Sequence, residues 1–422
     1  MLKKDVCKRI YSCRLCKSKN IVTFFDLGNQ PLANRLKKSF KERETKFPLR
    51  LFFCKSCRTS QLTHNINSKI LFSKYLWQTS TSNTAKKFSD TFCSEILKRI
   101  KIKRLKVLEI ASNDGTFLIP FKKRKHSVLG IDPAKNISRL ANKKGIKTLS
   151  LFFKKGISKK ILRNQNKFHV VFARNVIAHV ENIHEVVDEI KKVINNDGLA
   201  AIEFHYSKHI IQGLQYDSIY HEHLFYFSLN SIKHFFEKKG LFLFDVFNSP
   251  ISGGAIVALF SKNKKSVSQN AKKMLNLEKK NKINSFNTWK KFSKLSKKHS
   301  KKLNKILAEL SKKNKIVGYG ASARSSTLLN YSNLNHKNIL FILDKNKLKK
   351  NKFTAGSNIK ILDFDVFKSK LKRINNKIKG YNFVILILAW NFSKEIIKDL
   401  KMYLKKSKII IPLPKKIIVK NI

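Results

Sequence analysis

Two pairs of cysteines carry the clearest chemical signal in this sequence: Cys13-Arg-Leu-Cys16 and Cys54-Lys-Ser-Cys57. Each C-x2-C pair turns two thiolates towards one point, and four thiolates complete the tetrahedral shell of Zn2+. Such a site leaves no position for water or substrate, so its metal is expected to be structural. Cys7 and Cys93 have no partner at ligand spacing and read as free thiols.

A second group of residues looks built for a nucleoside. Val107-Leu-Glu-Ile-Ala-Ser-Asn-Asp-Gly115 ends an apolar run in a small, polar turn before a helix expected to begin near Thr116. Backbone can approach a ligand closely there, at the carboxyl end of a strand in an open α/β sheet. The next apolar run ends Gly130-Ile-Asp132, which puts a carboxylate where ribose hydroxyls could donate to it. A nicotinamide site would share this spacing, but the G-x-G-x-x-G that seats a pyrophosphate on a helix N-terminus is missing. S-adenosyl-L-methionine, which carries no phosphate, fits better. The candidate cofactor residues are Glu109, Ala111, Ser112, Asn113, Asp114, Gly115, Asp132, Pro133 and Asn175.

Acid and base groups follow. Asn175-Val-Ile-Ala-His179 comes after a further apolar run, and Tyr220-His221-Glu222-His223 lies in the aromatic stretch QYDSIYHEHLFYF. A lone histidine usually serves packing or the surface, but here a phenol, a carboxylate and imidazoles titrating near neutrality stand together. The HEH run lacks the H-E-x-x-H spacing of a helical zinc protease site, so metal ligation is the weaker reading. Nearer the end, Gly318-Tyr-Gly-Ala-Ser-Ala-Arg324 resembles a nucleotide-binding turn, which could meet substrate phosphates, meet another domain, or serve packing alone.

The elements that must position these groups alternate. KVLEI, SVLGID, HVVFARN and LAAIEF are apolar runs separated by amphipathic segments such as ENIHEVVDEIKKVI, which predicts βαβ units and a mostly parallel sheet. From Ser261 to about Leu310 the chain is lysine-rich, with Leu303, Ile306, Leu307 and Leu310 at the spacing of one helical face; one or two solvated helices are expected. The alternation then resumes with KIVGYGA, NILFILD, YNFVILILAW and KIIIPLP.

Composition narrows the partners. The 422 residues hold 90 Lys+Arg against 26 Asp+Glu, a formal charge of +64 that by itself would suggest nucleic acid. The lysines are scattered, however, and Lys208 is the sole fixed positive charge between Ala201 and Asn230, the stretch richest in chemistry. A nucleic-acid enzyme would concentrate basic residues there, so compositional bias is the better account. No apolar run approaches the roughly 18 residues of a membrane span, and the start lacks the apolar stretch of a signal peptide. A cytoplasmic protein without membrane insertion is expected, and nothing in the sequence bears on its oligomeric state.

Taken in order, these motifs resemble a known family along nearly the whole chain: the three-domain sugar C-methyltransferases that act on nucleotide-linked keto-sugars. The matching pieces are the cysteine pairs, LGNQPLAN from Leu27 to Asn34, EIASNDGTFL, NVIAHV, IEFHY, GLQYDSIYHEHLFYFSL, Ser252-Gly-Gly254, GYGASARSSTLLNY and LAWN. The resemblance implies an α/β fold: a class I methyltransferase Rossmann-like core, an N-terminal zinc-binding domain and a C-terminal Rossmann-like domain, with the active site in the cleft between domains. Domains are expected at 1–72 (zinc), 73–260 (S-adenosylmethionine), 261–310 (helical linker) and 311–422 (Rossmann-like).

By the same resemblance the active-site residues are His179, Tyr220, Glu222 and His223, with His223 the base and Tyr75 a further pocket residue whose place Trp77 could also fill. His221 is the competing base, since an extended segment would turn it to the face of His223 whereas a turn would separate them. Two positions depart from the family: Ala111 stands where it usually has Gly, and Leu151 where it usually has an acidic residue before Phe152 and Phe153. The implied reaction is removal of the proton α to a sugar ketone and methylation of that carbon. A nucleic-acid methyltransferase and an inactive nucleotide-sugar-binding protein are the alternatives.

Overall fold

The four apolar runs between Lys106 and Phe204 become strands of one sheet. In the computed structural model, which describes residues 6–72, 78–163, 165–374, 383–404 and 407–421, that sheet has seven strands. Their order is Phe242–Ser249, Ala255–Ser261, Ile194–His205, Phe168–Arg174, Lys106–Ile110, Ser127–Ile131, Thr148–Leu149. Lys106–Ile110 pairs in parallel with Ser127–Ile131 on one side and with Phe168–Arg174 on the other. The chain therefore winds outward in opposite directions from this strand, and its carboxyl end is the switch point where open α/β sheets bind ligands. Ala255–Ser261 runs antiparallel to both its neighbours.

The sheet is covered through ordinary amphipathic packing. The helix Asn83–Leu97 is capped by Ser82, whose side chain accepts from Ala85 N, and it buries Ala85, Phe88, Phe92, Cys93 and Ile96 at intervals of three and four residues. Phe92 meets Phe117, Phe172 and Phe247 with ring centroids 5.0 to 6.0 Å apart. A phenylalanine buried this completely contributes about 1.5 to 3 kcal/mol.

The helix expected near Thr116 begins at Ile119 instead. Gly115 lies at φ +75°, outside helical space, and the chain first makes a turn in which Leu118 N donates to Gly115 O. Pro120, with its preset φ and no N–H to satisfy, then opens the helix.

Two compact units divide the molecule. The first comprises Met1–Val22, Phe52–His209 and Leu224–Phe286; the second Thr23–Leu51, Ile210–His223 and Asn287–Ile422. The seven-stranded sheet belongs to the first. The second is organised around six strands in the order Ile361–Asp363, Ile342–Asp344, Lys315–Tyr319, Phe383–Ile387, Lys408–Ile411, Ile418–Asn421, parallel except for the last.

Two helices, Gln269–Lys280 and Phe286–Ser311, fill the lysine-rich stretch. The second is less solvated than its composition suggests: Trp289, Phe292, Ser296, His299, Leu303 and Leu307 are buried along one side, with Ile306 and Leu310 half-buried. No helix among the described residues is long and apolar enough to cross a membrane.

Candidate active site and metal centre

The two cysteine knuckles converge. The Sγ atoms of Cys13, Cys16, Cys54 and Cys57 all lie within 4.8 Å of one another. Cys13 and Cys57 approach to 3.4 Å and Cys16 and Cys54 to 3.5 Å, close to the ~3.8 Å between sulfurs around a tetrahedral zinc with bonds near 2.3 Å. Gln61 Nε2 donates to Cys13 Sγ at 2.9 Å and Cys57 N to Cys54 Sγ at 3.5 Å. Donors on the sulfurs favour thiolate, so the residues present fit a four-sulfur zinc site. Cys93 stands apart in the core, where burial pushes its thiol up to about 11.

The turn after Lys106–Ile110 is unusual backbone. Ala111, Asn113 and Gly115 adopt φ of +52°, +50° and +75°. Asp132, at the end of the neighbouring strand, holds this shape: its carboxylate accepts from Asn113 N and Ala134 N, each at 2.9 Å. Burial still raises the Asp132 pKa against those two bonds.

Gly130 must lack a side chain, because a Cβ there would lie 2.4 Å from Ser112 Oγ and 2.7 Å from Thr148 Oγ1. Asn113 and Asp114 turn their side chains to Thr79 and Ser80, whose backbone N–H groups donate at 2.9 and 3.1 Å. For Asp114 burial opposes the charge, but Ser80, Thr116 and Lys144 outweigh it and hold the carboxyl below its usual range. These two residues therefore fasten the segment that precedes the helix Asn83–Leu97.

Glu109 bears most directly on the fit of a cofactor. It is buried, its Oε2 has no hydrogen-bond partner, and burial drives its pKa well above the usual carboxylate range despite the pull of Arg174. Arg174 itself is paired with buried Glu203 at 2.6 Å. A cationic or N–H-donating group beside Glu109 would restore its charge, and the ammonium and sulfonium of S-adenosylmethionine supply that chemistry. Asn175, at the carboxyl end of the adjacent strand and at φ +51°, takes its place through Asn175 N to Glu203 O, 2.9 Å. Pro133, Leu151, Phe152 and Phe153 are half-buried.

The Tyr220–His223 segment forms a turn, with His223 N donating to Tyr220 O at 2.9 Å. That separates the two histidines. His221 is buried, its Nε2 3.3 Å from Phe47 O, whereas His223 is half-buried with its ring tilted 37° to that of Tyr220, centroids 4.0 Å apart. His223 Nδ1 lies 2.8 Å from Ser218 O and Nε2 lies 2.7 Å from Tyr220 Oη. A carbonyl only accepts, so Nδ1 carries the proton, and Nε2 is the nitrogen that can offer a lone pair.

A backbone carbonyl, not the Glu222 carboxylate, is the partner of His223 Nδ1. Glu222 instead accepts from Asn34 Nδ2 at 2.5 Å, and burial raises it to about 7 while Asn34 opposes the shift. His179 belongs to the first unit, half-buried with Phe72 edge-on at 5.8 Å. Tyr75 and Trp77 lie outside the described residues.

Sequence reasoning assigned no role to Asn34, Asp217 or Ser218. All three fall within quoted motifs; the partners of Asn34 and Asp217 are remote in the chain, and Ser218 acts through its backbone carbonyl, which residue type does not mark.

Three family models match consecutive stretches: "Putative zinc binding domain" over residues 13–72, "Methyltransferase domain" over 85–244 and "C-methyltransferase C-terminal domain" over 250–414. The C-methyltransferase NovU of Streptomyces niveus is 30% identical over 418 residues, 97% of each chain. The chain belongs to this C-methyltransferase family. It is an S-adenosylmethionine-dependent C-methyltransferase with a four-cysteine zinc site.

Solved structures similar to this C-methyltransferase include the plantazolicin methyltransferase BpumL in complex with SAH, 15% identical over 43% of this chain and 85% of that one, TM-score 0.34. An S-adenosylmethionine-dependent methyltransferase from Clostridium acetobutylicum is 12% identical over 44% of this chain and 94% of its own, TM-score 0.35.

Proposed function

We propose that this C-methyltransferase methylates the carbon α to the ketone of a nucleotide-linked keto-deoxysugar, and that His223 removes the α-proton. The observation that carries the reading is the bond from His223 Nδ1–H to Ser218 O, which leaves the basic lone pair on Nε2. A ketone acidifies the neighbouring C–H enough for an imidazole to act as base, and a positioned base typically contributes about 10² to 10⁴-fold.

With the proton on Nδ1, Tyr220 Oη, 2.7 Å from Nε2, is the donor to it in the resting arrangement. When its phenol turns its proton to the sugar oxygen, Nε2 is released to take the carbon-bound proton, and the developing enolate gains a donor. For His179 the support is the NVIAHV motif alone. Glu222, held where it titrates near neutrality, binds the sugar or sets the loop through Asn34.

Glu109, the 111–115 turn, Asp132, Pro133 and Asn175 would hold S-adenosylmethionine, with Asp132 at the ribose. Once bound it supplies an electrophilic methyl on a sulfonium. The name of the NovU relative supports carbon as the methyl acceptor; the keto-sugar rests on the base geometry and on the motifs.

The test is α-proton exchange. A nucleotide-linked keto-sugar in deuterated water, with S-adenosylhomocysteine present, should lose its α-proton in wild type and at least ~10²-fold more slowly in His223→Asn. Exchange retained in His223→Asn and lost in His221→Asn would move the base by two residues.

A further inference from the structure

The turn Gly318–Arg324 finds its use in the second unit, and the ligand of Arg324 is a side chain of the protein. Its Nε and Nη2 bind the two carboxylate oxygens of Asp217 at 2.9 and 2.8 Å, and Nη2 also reaches Gln215 Oε1 at 3.2 Å. The guanidinium lies over the Trp390 ring, 4.6 Å from its centroid, and Trp390 Nε1 donates to the same carboxylate at 2.7 Å. Asp217 is fully buried. Three donors thus converge on one carboxylate in a dry setting.

The location of that carboxylate matters. Asp217 is the middle residue of the single helical turn Tyr216–Ser218, and the next carbonyl along, Ser218 O, is the one that accepts from His223 Nδ1. One turn further along the helix that carries Arg324, Thr327 Oγ1 donates to Ile219 O at 2.8 Å. One helix therefore grips the chain on both sides of Ser218. On the other flank Tyr216 Oη meets His299 Nδ1 at 3.1 Å, and His299 Nε2 donates to Pro412 O at 2.8 Å.

A buried ion pair adds little net stability, because desolvation offsets its Coulombic gain, but it fixes geometry. The geometry fixed here is the direction of one carbonyl. Which nitrogen of a histidine holds its proton is set by the bond the other nitrogen makes.

We infer that Asp217, Arg324 and Trp390 are positioning residues for His223: they hold the Ser218 carbonyl so that the imidazole keeps its proton on Nδ1 and its lone pair on Nε2. The inference rests on His223 as the base for its catalytic consequence, but its structural content can be read separately.

Trp390→Phe is the discriminating variant. It keeps an aromatic ring under Arg324 and removes one donor to Asp217, whereas Asp217→Asn would strand a buried guanidinium and endanger folding. Arg324→Lys, which loses the two-pronged grip, is the second variant. In ¹⁵N-histidine-labelled full-length protein, with the His223 signals identified by their absence from His223→Asn, wild type should show the Nδ1–H tautomer and both variants a mixture.

Turnover should fall about 10-fold in each, with KM for the sugar and for S-adenosylmethionine nearly unchanged, as for loss of a group that orients a reacting one. Wild-type nitrogen shifts in folded Trp390→Phe and Arg324→Lys overturn the inference, as does a loss confined to KM. If His223→Asn retains α-proton exchange, the base assignment alone falls, and the nitrogen shifts still decide whether these residues set the tautomer.

Discussion

Glu222→Gln should change how stability depends on pH. Glu222 is 3% exposed and its carboxyl is raised from 4.5 to about 7 by burial, with Asn34 its hydrogen-bond donor. A carboxyl raised on folding keeps its proton more tightly in the native state than in the unfolded chain. Its contribution is then most favourable below the unfolded value and is lost as pH climbs through the native one. Moving a carboxyl from 4.5 to about 7 corresponds to about 3 kcal/mol.

A glutamine side chain at this position has nearly the same shape, can still accept from Asn34, and carries no charge. The stability of Glu222→Gln relative to wild type should therefore rise by about 3 kcal/mol between pH 4.5 and pH 8, and level off above that. Glu109, Asp132 and Glu278, also raised by burial, are present in both proteins and cancel in the difference. Urea unfolding of the zinc-loaded proteins at several pH values measures it. Parallel stability curves across that range would refute the assignment of a buried, ionising carboxyl at this position.

Four further outcomes follow from the geometry. Ala111→Gly should stabilise the protein by about 0.5 to 1 kcal/mol, since a Cβ in the left-handed region costs ~1 to 2 kcal/mol and glycine gives back ~0.5 to 1 in chain entropy; a lower melting temperature would contradict this. Cys54→Ser should lose zinc and the order of the N-terminal residues together, read by metal analysis and limited proteolysis; folded wild-type protein purified without zinc would exclude the metal. Asp132→Ala should weaken S-adenosylmethionine binding by about 1.5 to 3 kcal/mol in calorimetry, and unchanged affinity would remove Asp132 from the cofactor site. Tyr220→Phe should slow α-proton exchange less than His223→Asn does; an equal loss would make the phenol part of the proton path.

What the sequence displayed plainly were features encoded over short spans. The cysteine pairs, the strand ends at Ile110, Ile131 and Arg174, and the acidic residue after the second strand all follow from local spacing, and each occupies its expected element. The helix after Gly115 starts at Ile119 rather than near Thr116, because the positive φ of Gly115 holds the chain in a turn and Pro120 opens the helix.

The partners of buried polar groups stayed hidden. Glu222 finds Asn34 at a separation of 188 residues and Asp217 finds Arg324 at 107. No periodicity records such a pairing, because it depends on how the chain returns. Whether His221 and His223 share a face turned on a single backbone bond, His223 N to Tyr220 O, which residue type alone does not specify.

The zinc centre also sets a boundary condition on the chain. Cys16 and Cys54 are 38 residues apart, and between them the chain departs from the first unit after Val22 and rejoins it at Phe52. The metal therefore works as a clasp at the neck of a loop whose far side presents Asn34 to Glu222. With the clasp shut, the loop's ends are already together and the entropy of closing it, which grows only as the logarithm of length, is met by metal binding. With the clasp open, that cost falls on the pairing of the strands Ile21–Pro31 and Lys46–Cys54 and on the bonds the loop makes at its tip. Oxidation or demetallation of the thiolates would then be felt first along the loop's own two strands, at residues that touch none of the sulfurs.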